Sequence, residues 1–308
     1  MRILVAGSAG FLGTNLCHRL LSEGHEVIGA DNLYTGSFQN VSKLDGFPKF
    51  KFFHHDVNTP INFDIEAVIN FASPASPIHY QRDPIYTLKT NIIGTSNLLE
   101  LAHAKGAVYL QASTSEVYGD PEVSPQHESY WGKVNPIGIR SCYDEGKRAA
   151  ETLVMDFNRL YGLDTRIARI FNTYGPHMAV NDGRVVSNLV TQALKNQPLT
   201  IYGDGNQVRS FCYVDDLIEG IVSLLTADSI HEPINLGNPQ PITMNQLAED
   251  ILRITGSKSK KVFLGLPQDD PRTRTPDITR AKVHLDWEPK VDREEGLIQT
   301  VNYFKGII

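Results

Sequence analysis

Tyr143 and Lys147 stand four residues apart in "SCYDEGKRAAE". On a helix that spacing puts both on one face, one turn apart. A phenol titrates near ~10 in water, and an adjacent ammonium favours its ionised form. The pair can therefore serve as a base near neutral pH. Upstream, "STSEVYG" places Ser113, Thr114, Ser115 and Glu116 directly after the apolar run 107–110. Hydroxyls and a carboxylate at the end of a buried strand read either as a solvated turn or as the lip of a reaction site.

A second chemistry lies at the N-terminal end. "AGSAGFLG" spaces Gly7, Gly10 and Gly13 as GxxGxxG. Gly7 permits a tight turn, Gly10 lets the backbone approach a pyrophosphate, and Gly13 lets a helix pack closely on a strand. The helix that follows offers free N–H groups and a positive dipole end to phosphates. Asp31 stands 18 positions after Gly13. A carboxylate there can accept both hydroxyls of an adenosine ribose and would repel a 2′-phosphate. Asn32 follows it, not an arginine, so the reading favours NAD over NADP. Asp56, in "HHDV", is placed to meet an adenine edge. Each motif alone is common; together they make "STSEVYG" the edge of a hydride-transfer pocket.

These residues need elements to hold them. Short β-branched or aromatic runs at 3–6, 27–30, 50–54, 67–71 and 108–111 each precede Gly, Asp, Asn or Ser and read as strands. Between them, Leu12, Leu16 and Leu20 repeat at helical spacing, and Leu88, Ile92, Leu98, Leu99 and Ala102 fill a broad apolar stripe. Strand–helix alternation predicts a doubly wound parallel α/β sheet of the Rossmann kind. Further helices are expected from about 141 to 160, over 185–194 and over 215–225, with strands at 166–171 and 233–236. Residues 173–210 read as irregular around one helix, and 239–308 as two helices and a Pro- and Asp-rich loop. The expected division is a nucleotide domain of residues 1–171 plus about 212–238. A smaller α/β substrate-binding domain takes about 172–211 plus 239–308.

Bulk properties narrow the function. The chain has 308 residues, 41% hydrophobic and 21% charged, with a formal net charge of −6. This is the balance of a globular protein, and a mildly acidic one without basic clusters is not built for nucleic acid. Cys17, Cys142 and Cys212 are odd in number and lack metal-ligand spacing, which points to a reducing, cytoplasmic setting and to no metal site. No apolar stretch approaches ~20 residues, and "MRILVAG" is too short for a signal-peptide core, so neither a membrane anchor nor an export signal is expected.

GxxGxxG, Asp31, "STSEVYG" and YxxxK together resemble the extended short-chain dehydrogenases/reductases acting on nucleotide sugars. The blocks "ASPASPIHYQRDPI", "ASTSEVYGDP", "YWGKVNPIGIRSCYDEGKRAAETL", "RIFNTYGPHM", "DGRVVSN", "DDPRTRTPDI" and "LDWEPKV" narrow the likeness, over nearly the whole chain, to the UDP-glucuronic acid decarboxylases. That resemblance implies NAD-dependent oxidation at C4 of the sugar, loss of CO₂ from the 4-keto acid and return of the hydride, giving UDP-xylose. It implies catalytic roles for Thr114, Ser115, Glu116, Tyr143 and Lys147, with Arg274 near the sugar carboxylate. For the cofactor it adds Phe11, Leu12, Thr35, Gly36, Val57, Ala72, Asn91, Ser113, Asn172 and His177. For the UDP-sugar it adds Pro77, Tyr80, Asn172, Arg184, Val186, Asn188, Tyr202, Gln207 and Arg209. Ser115 stands where sister dehydratases carry an aspartate that serves the C6 hydroxyl, so it speaks for decarboxylation. His177 departs from the family's usual "YGPRM". The family resembles homodimers built on a four-helix bundle, and the stripes on 84–104 and 143–161 are broad enough for that.

Overall fold

The structure, a computed structural model, describes residues 1–266, 268 and 273–308. Seven strands make one sheet in the order Ile234–Leu236, β6 (Thr165–Ile170), β5 (Val108–Thr114), β4 (Ala67–Asn70), β1 (Arg2–Ala6), β2 (Glu26–Asp31) and β3 (Phe50–His54). Every pairing is parallel. Helices on both faces account for the continuous apolar runs: all four residues of β4 and four of the five in β1 are buried. The strand order reverses between β1 and β4, which opens a crevice beyond their C-terminal ends.

α1 (Phe11–Ser22) follows β1 and buries Leu16, Cys17, Leu20 and Leu21. No side chain caps its first turn, so its leading N–H groups stay available. The stripe around residue 90 forms helices Pro84–Lys89 and Thr95–Lys105, joined through a wider turn at Thr90–Gly94. The Ser141–Tyr161 helix starts where its spacing predicts and ends on Gly162 in the left-handed conformation.

Beyond β6 the sequence reading needs correction. Residues 173–210 are not irregular: strands Leu199–Tyr202 and Val208–Ser210 lie within them. The first pairs with Lys261–Leu264, the second with Pro241–Thr243 and Thr273–Arg274. Strands of three or four residues carry too little periodicity to be seen without their partners. Among the described residues, 239–308 holds three helices, not two: Met244–Thr255, Thr279–Leu285 and Arg293–Lys305. The shortest, Thr279–Leu285, buries only Ala281 and so shows no stripe. A single hydrophobic cluster runs from Ile3 and Val5 of β1 through Leu217 and Ile221 to Val301 and Phe304.

Candidate active site

A cleft of ≈ 440 Å³ opens above the C-terminal ends of the central strands. Its nucleotide end is shaped by the glycine turn. Gly7 has φ +83°, and a Cβ there would lie 2.7 Å from the Phe71 carbonyl carbon. A Cβ on Gly13 would lie 2.0 Å from the Gly7 oxygen, whereas on Gly10 it would meet that oxygen only at 3.4 Å. Two glycines are thus sealed against their own chain, and the third leaves room over a helix N-terminus. A dinucleotide's diphosphate needs such a floor.

Asp31 forms the wall beside it. Its carboxylate accepts the Ala9 N–H at 3.0 Å and the Leu33 N–H at 2.7 Å. Burial pushes its pKa up, and those two hydrogen bonds oppose the rise. Of the residues expected at the cofactor, Phe11, Leu12, Asn32, Thr35, Val57, Ala72, Ser113, Asn172 and His177 line the cleft. Three other cofactor expectations do not reach its wall. Asp56 stands just behind the wall, accepting from Tyr86 OH at 2.8 Å, the Asn58 N–H at 2.9 Å and Asn32 Nδ2 at 3.1 Å. Asn91 packs behind the catalytic helix against Gly146 and donates to the Thr87 carbonyl. Gly36 sits where a Cβ would strike Ala9 at 2.8 Å. His177 adopts φ +72° and meets Lys43 Nζ through Nδ1 at 3.0 Å. Burial first, then the Lys43 charge, hold its pKa down at about 4, so His177 itself brings no positive charge.

At the other end, Thr114 closes β5 and Ser115–Tyr118 turns away as a single 3₁₀ turn. Thr114, Ser115, Glu116, Tyr143 and Lys147 all face the cleft. Lys147 Nζ lies 5.7 Å from the Tyr143 ring centroid and donates to the Ala112 carbonyl at 2.8 Å. Desolvation lowers its pKa to about 8. Burial raises the Tyr143 phenol well above its ordinary value, and its hydrogen bond with Thr114 opposes this. A positive charge brought to the face of its ring would favour the phenolate.

Glu116 is the main surprise. It is clamped by two arginines: both Arg274 Nη atoms donate to its two oxygens, one of them at 2.7 Å, and Arg140 Nη2 reaches Oε2 at 2.7 Å. Burial would raise its pKa, but Arg274 and Arg140 outweigh that and hold it well below the carboxylate range. Arg274, expected near the sugar carboxylate, is thus paired with a carboxylate of the protein itself. Asp144, 3.8 Å from Arg140, is driven the other way, by burial and by the Glu116 charge. Tyr80 stacks on Tyr143 at 5.2 Å between centroids.

Arg184 and Val186 also line the cleft, Arg184 paired with Asp182 and 5.6 Å over the Phe11 ring. Pro77, Tyr80, Asn188, Tyr202, Gln207, Arg209 and Arg274 are not on its wall. Arg209 and Arg274 are register partners on adjacent strands, and Tyr202 is 46% exposed at the end of its strand. The residues missed from sequence are Arg140, Asp144, Glu151 and Arg169. Arg140 could have been found three places before Tyr143 on the entry to the same helix. Nothing local announces Arg169, whose fork grips Glu151 at 2.7 and 2.9 Å. Among the described residues no group of His, Cys, Asp and Glu could hold a metal ion.

Residues 3–237 match the NAD dependent epimerase/dehydratase family. The chain is 51% identical over 308 residues to UDP-glucuronic acid decarboxylase 1 of Arabidopsis thaliana, covering 100% of this chain and 71% of the relative. It is 52% identical to UDP-glucuronic acid decarboxylase 1 of Xenopus tropicalis, covering 99% and 72%. Among solved structures it resembles the UDP-glucose 4-epimerase of Thermotoga maritima, with TM-score 0.91 and 31% identity over 100% of this chain and 99% of that one. It also resembles the UDP-glucuronic acid 4-epimerase of Bacillus cereus, solved with UDP-glucuronic acid and NAD, with TM-score 0.88 and 29% identity over the whole of both chains.

Proposed function

The chain belongs to the NAD-dependent epimerase/dehydratase family, and from that membership we propose that it converts UDP-glucuronic acid to UDP-xylose and CO₂. One observation carries the reading: a base that can open C4 (Tyr143 with Thr114) shares a cleft with a carboxylate clamped by two buried arginines. Guanidinium groups of that kind can recognise a carboxylate on the neighbouring carbon.

The glycine turn and Asp31 hold the cofactor's diphosphate and ribose. NAD bound over Gly7, Gly10, Gly13 and Asp31 would supply a reversible hydride acceptor for C4. Tyr143 accepts the C4 hydroxyl proton, with the Lys147 ammonium on its ring side. The resulting ketone is the electron sink through which the C5 carboxylate leaves. Thr114 and the reprotonated Tyr143 donate to the enolate oxygen. Glu116, held ionised, does not carry the C5 proton itself; it can orient a water that does. Tyr143→Phe should lose at least about 10²-fold in turnover, the scale of a missing general base, while NAD affinity stays within a factor of about two. Near-normal CO₂ release from that variant would remove Tyr143 as the base.

An epimerase is the runner-up, favoured by the likeness to 4-epimerase structures. Incubation with UDP-glucuronic acid, followed by NMR, separates the two: a C5 methylene with CO₂ marks decarboxylation, a galacturonic product marks epimerisation.

The same reading takes the protein as a cytoplasmic homodimer of two-domain subunits, divided as the sequence suggested. Three free cysteines suit a reducing compartment, and among the described residues no helix is long and apolar enough to cross a membrane. Ile85, Leu88 and Ile93 on one helical stretch and Leu160 and Tyr161 on another are exposed, as a four-helix interface would require.

A further inference from the structure

Behind the catalytic face lies a buried ionic chain that the proposed chemistry does not use. Glu151 follows Lys147 by four positions on the Ser141–Tyr161 helix, so both share a face. The two side chains dock on consecutive residues of β5. Lys147 Nζ donates to the Ala112 carbonyl at 2.8 Å, and Ser113 Oγ donates to Glu151 Oε1 at 2.5 Å. From β6, Arg169 grips the same carboxylate at 2.9 and 2.7 Å. Ser113 and Arg169 are register partners, which fixes the fork opposite the hydroxyl. Arg169 also donates to Tyr118 OH and to the Glu128 carbonyl, both at 3.0 Å. Tyr118 OH in turn donates to Asn235 Oδ1 at 2.8 Å.

The charges around Lys147 are few. On its own helix stand Tyr143 and Glu151. Across from them the Ala112 carbonyl of β5 accepts from Lys147, and Ser113 of β5 and Arg169 of β6 hold Glu151. Among the described residues, Glu151 is the carboxylate that acts to keep Lys147 charged, against a desolvation that works to neutralise it.

We propose that Glu151 is a positioning residue for the reaction, sustaining the Lys147 ammonium while Ser113 and Arg169 hold its carboxylate in place. A solvated lysine would need no such help; one buried beneath a cofactor cleft does. The proposal takes its purpose from the decarboxylase reading, but its test does not depend on turnover.

The test is a titration of ¹⁵N-lysine-labelled protein by NMR, with the Lys147 Nζ signal assigned through Lys147→Arg. The expected midpoint falls by at least about one pH unit in Glu151→Gln and by less in Glu151→Asp, which keeps the charge but shortens the reach. The aspartate variant retains Arg169's partner and so guards against misfolding. Arg169→Gln, which removes the competing cation, should move the midpoint the other way. Coincident midpoints in the wild type and the folded Glu151 variants would overturn the proposal and leave Glu151 a packing residue. If UDP-glucuronic acid is not turned over at all, the decarboxylase reading fails and the titration still decides this one.

Discussion

At the scale of single residues, the clamp on Glu116 makes the sharpest predictions. Its folded pKa lies below its unfolded value of about 4.5, so the stability it contributes is present above that pH and lost as pH falls toward the folded value. Asp144, raised by burial, works with the opposite sign: holding its proton costs stability once pH exceeds its unfolded value of 3.8. Glu116→Gln leaves two buried guanidinium groups without their anion, a loss of about 3–5 kcal/mol for a broken buried pair. Urea unfolding should show that deficit at pH 7 and a smaller one near pH 3. A constant deficit would mean that shape, not charge, holds the cluster. This part of the site was only half legible in sequence. Glu116 and Arg274 could be named, but they are 158 positions apart, and no local spacing says that they face each other.

At the scale of elements, the turn between β1 and α1 separates three glycines that sequence treats alike. Gly10→Ala has room and should fold with an unchanged melting temperature, yet lose NAD affinity by an order of magnitude or more, about 1.4 kcal/mol. Gly13→Ala drives a methyl into the Gly7 carbonyl and should lower both stability and affinity. Calorimetry with and without NAD distinguishes them; equal losses from both would refute the open position over Gly10. The elements of the nucleotide half were readable because β1 and β4 are buried apolar runs, β3 is rich in aromatic residues and each long helix carries a stripe. The later short strands were not, since Val208–Ser210 is defined by its partners and not by its own pattern. Asn91, expected at the cofactor, sits off the cleft wall for a related reason. It lies on a helix that faces the cleft elsewhere, but its own side chain points at Gly146, in the packing between helices.

At the scale of the molecule, the core cluster joining β1 to the Arg293–Lys305 helix ties the ends of the chain together. The two lobes of the proposed division should therefore unfold in one transition, and a scan showing two would refute that coupling. The exposed stripe is a matter for the assembly: Ile85→Glu together with Leu160→Glu should shift the protein from dimer to monomer in light scattering. A wild type that is already monomeric would remove the four-helix interface.

The clamp on Glu116 also bears on the salt response of the enzyme. Two bare guanidinium groups beside a cleft would gather chloride, phosphate or citrate from any buffer. Here the protein supplies the counter-ion itself, so a visiting anion gains little by simple attraction and must displace a bidentate partner to stay. Small ions with one point of contact lose that exchange, whereas a carboxylate delivered on a tethered sugar can win it. Ionic strength should then matter little to the wild type, and Glu116→Gln should turn the same pocket into an indiscriminate anion trap.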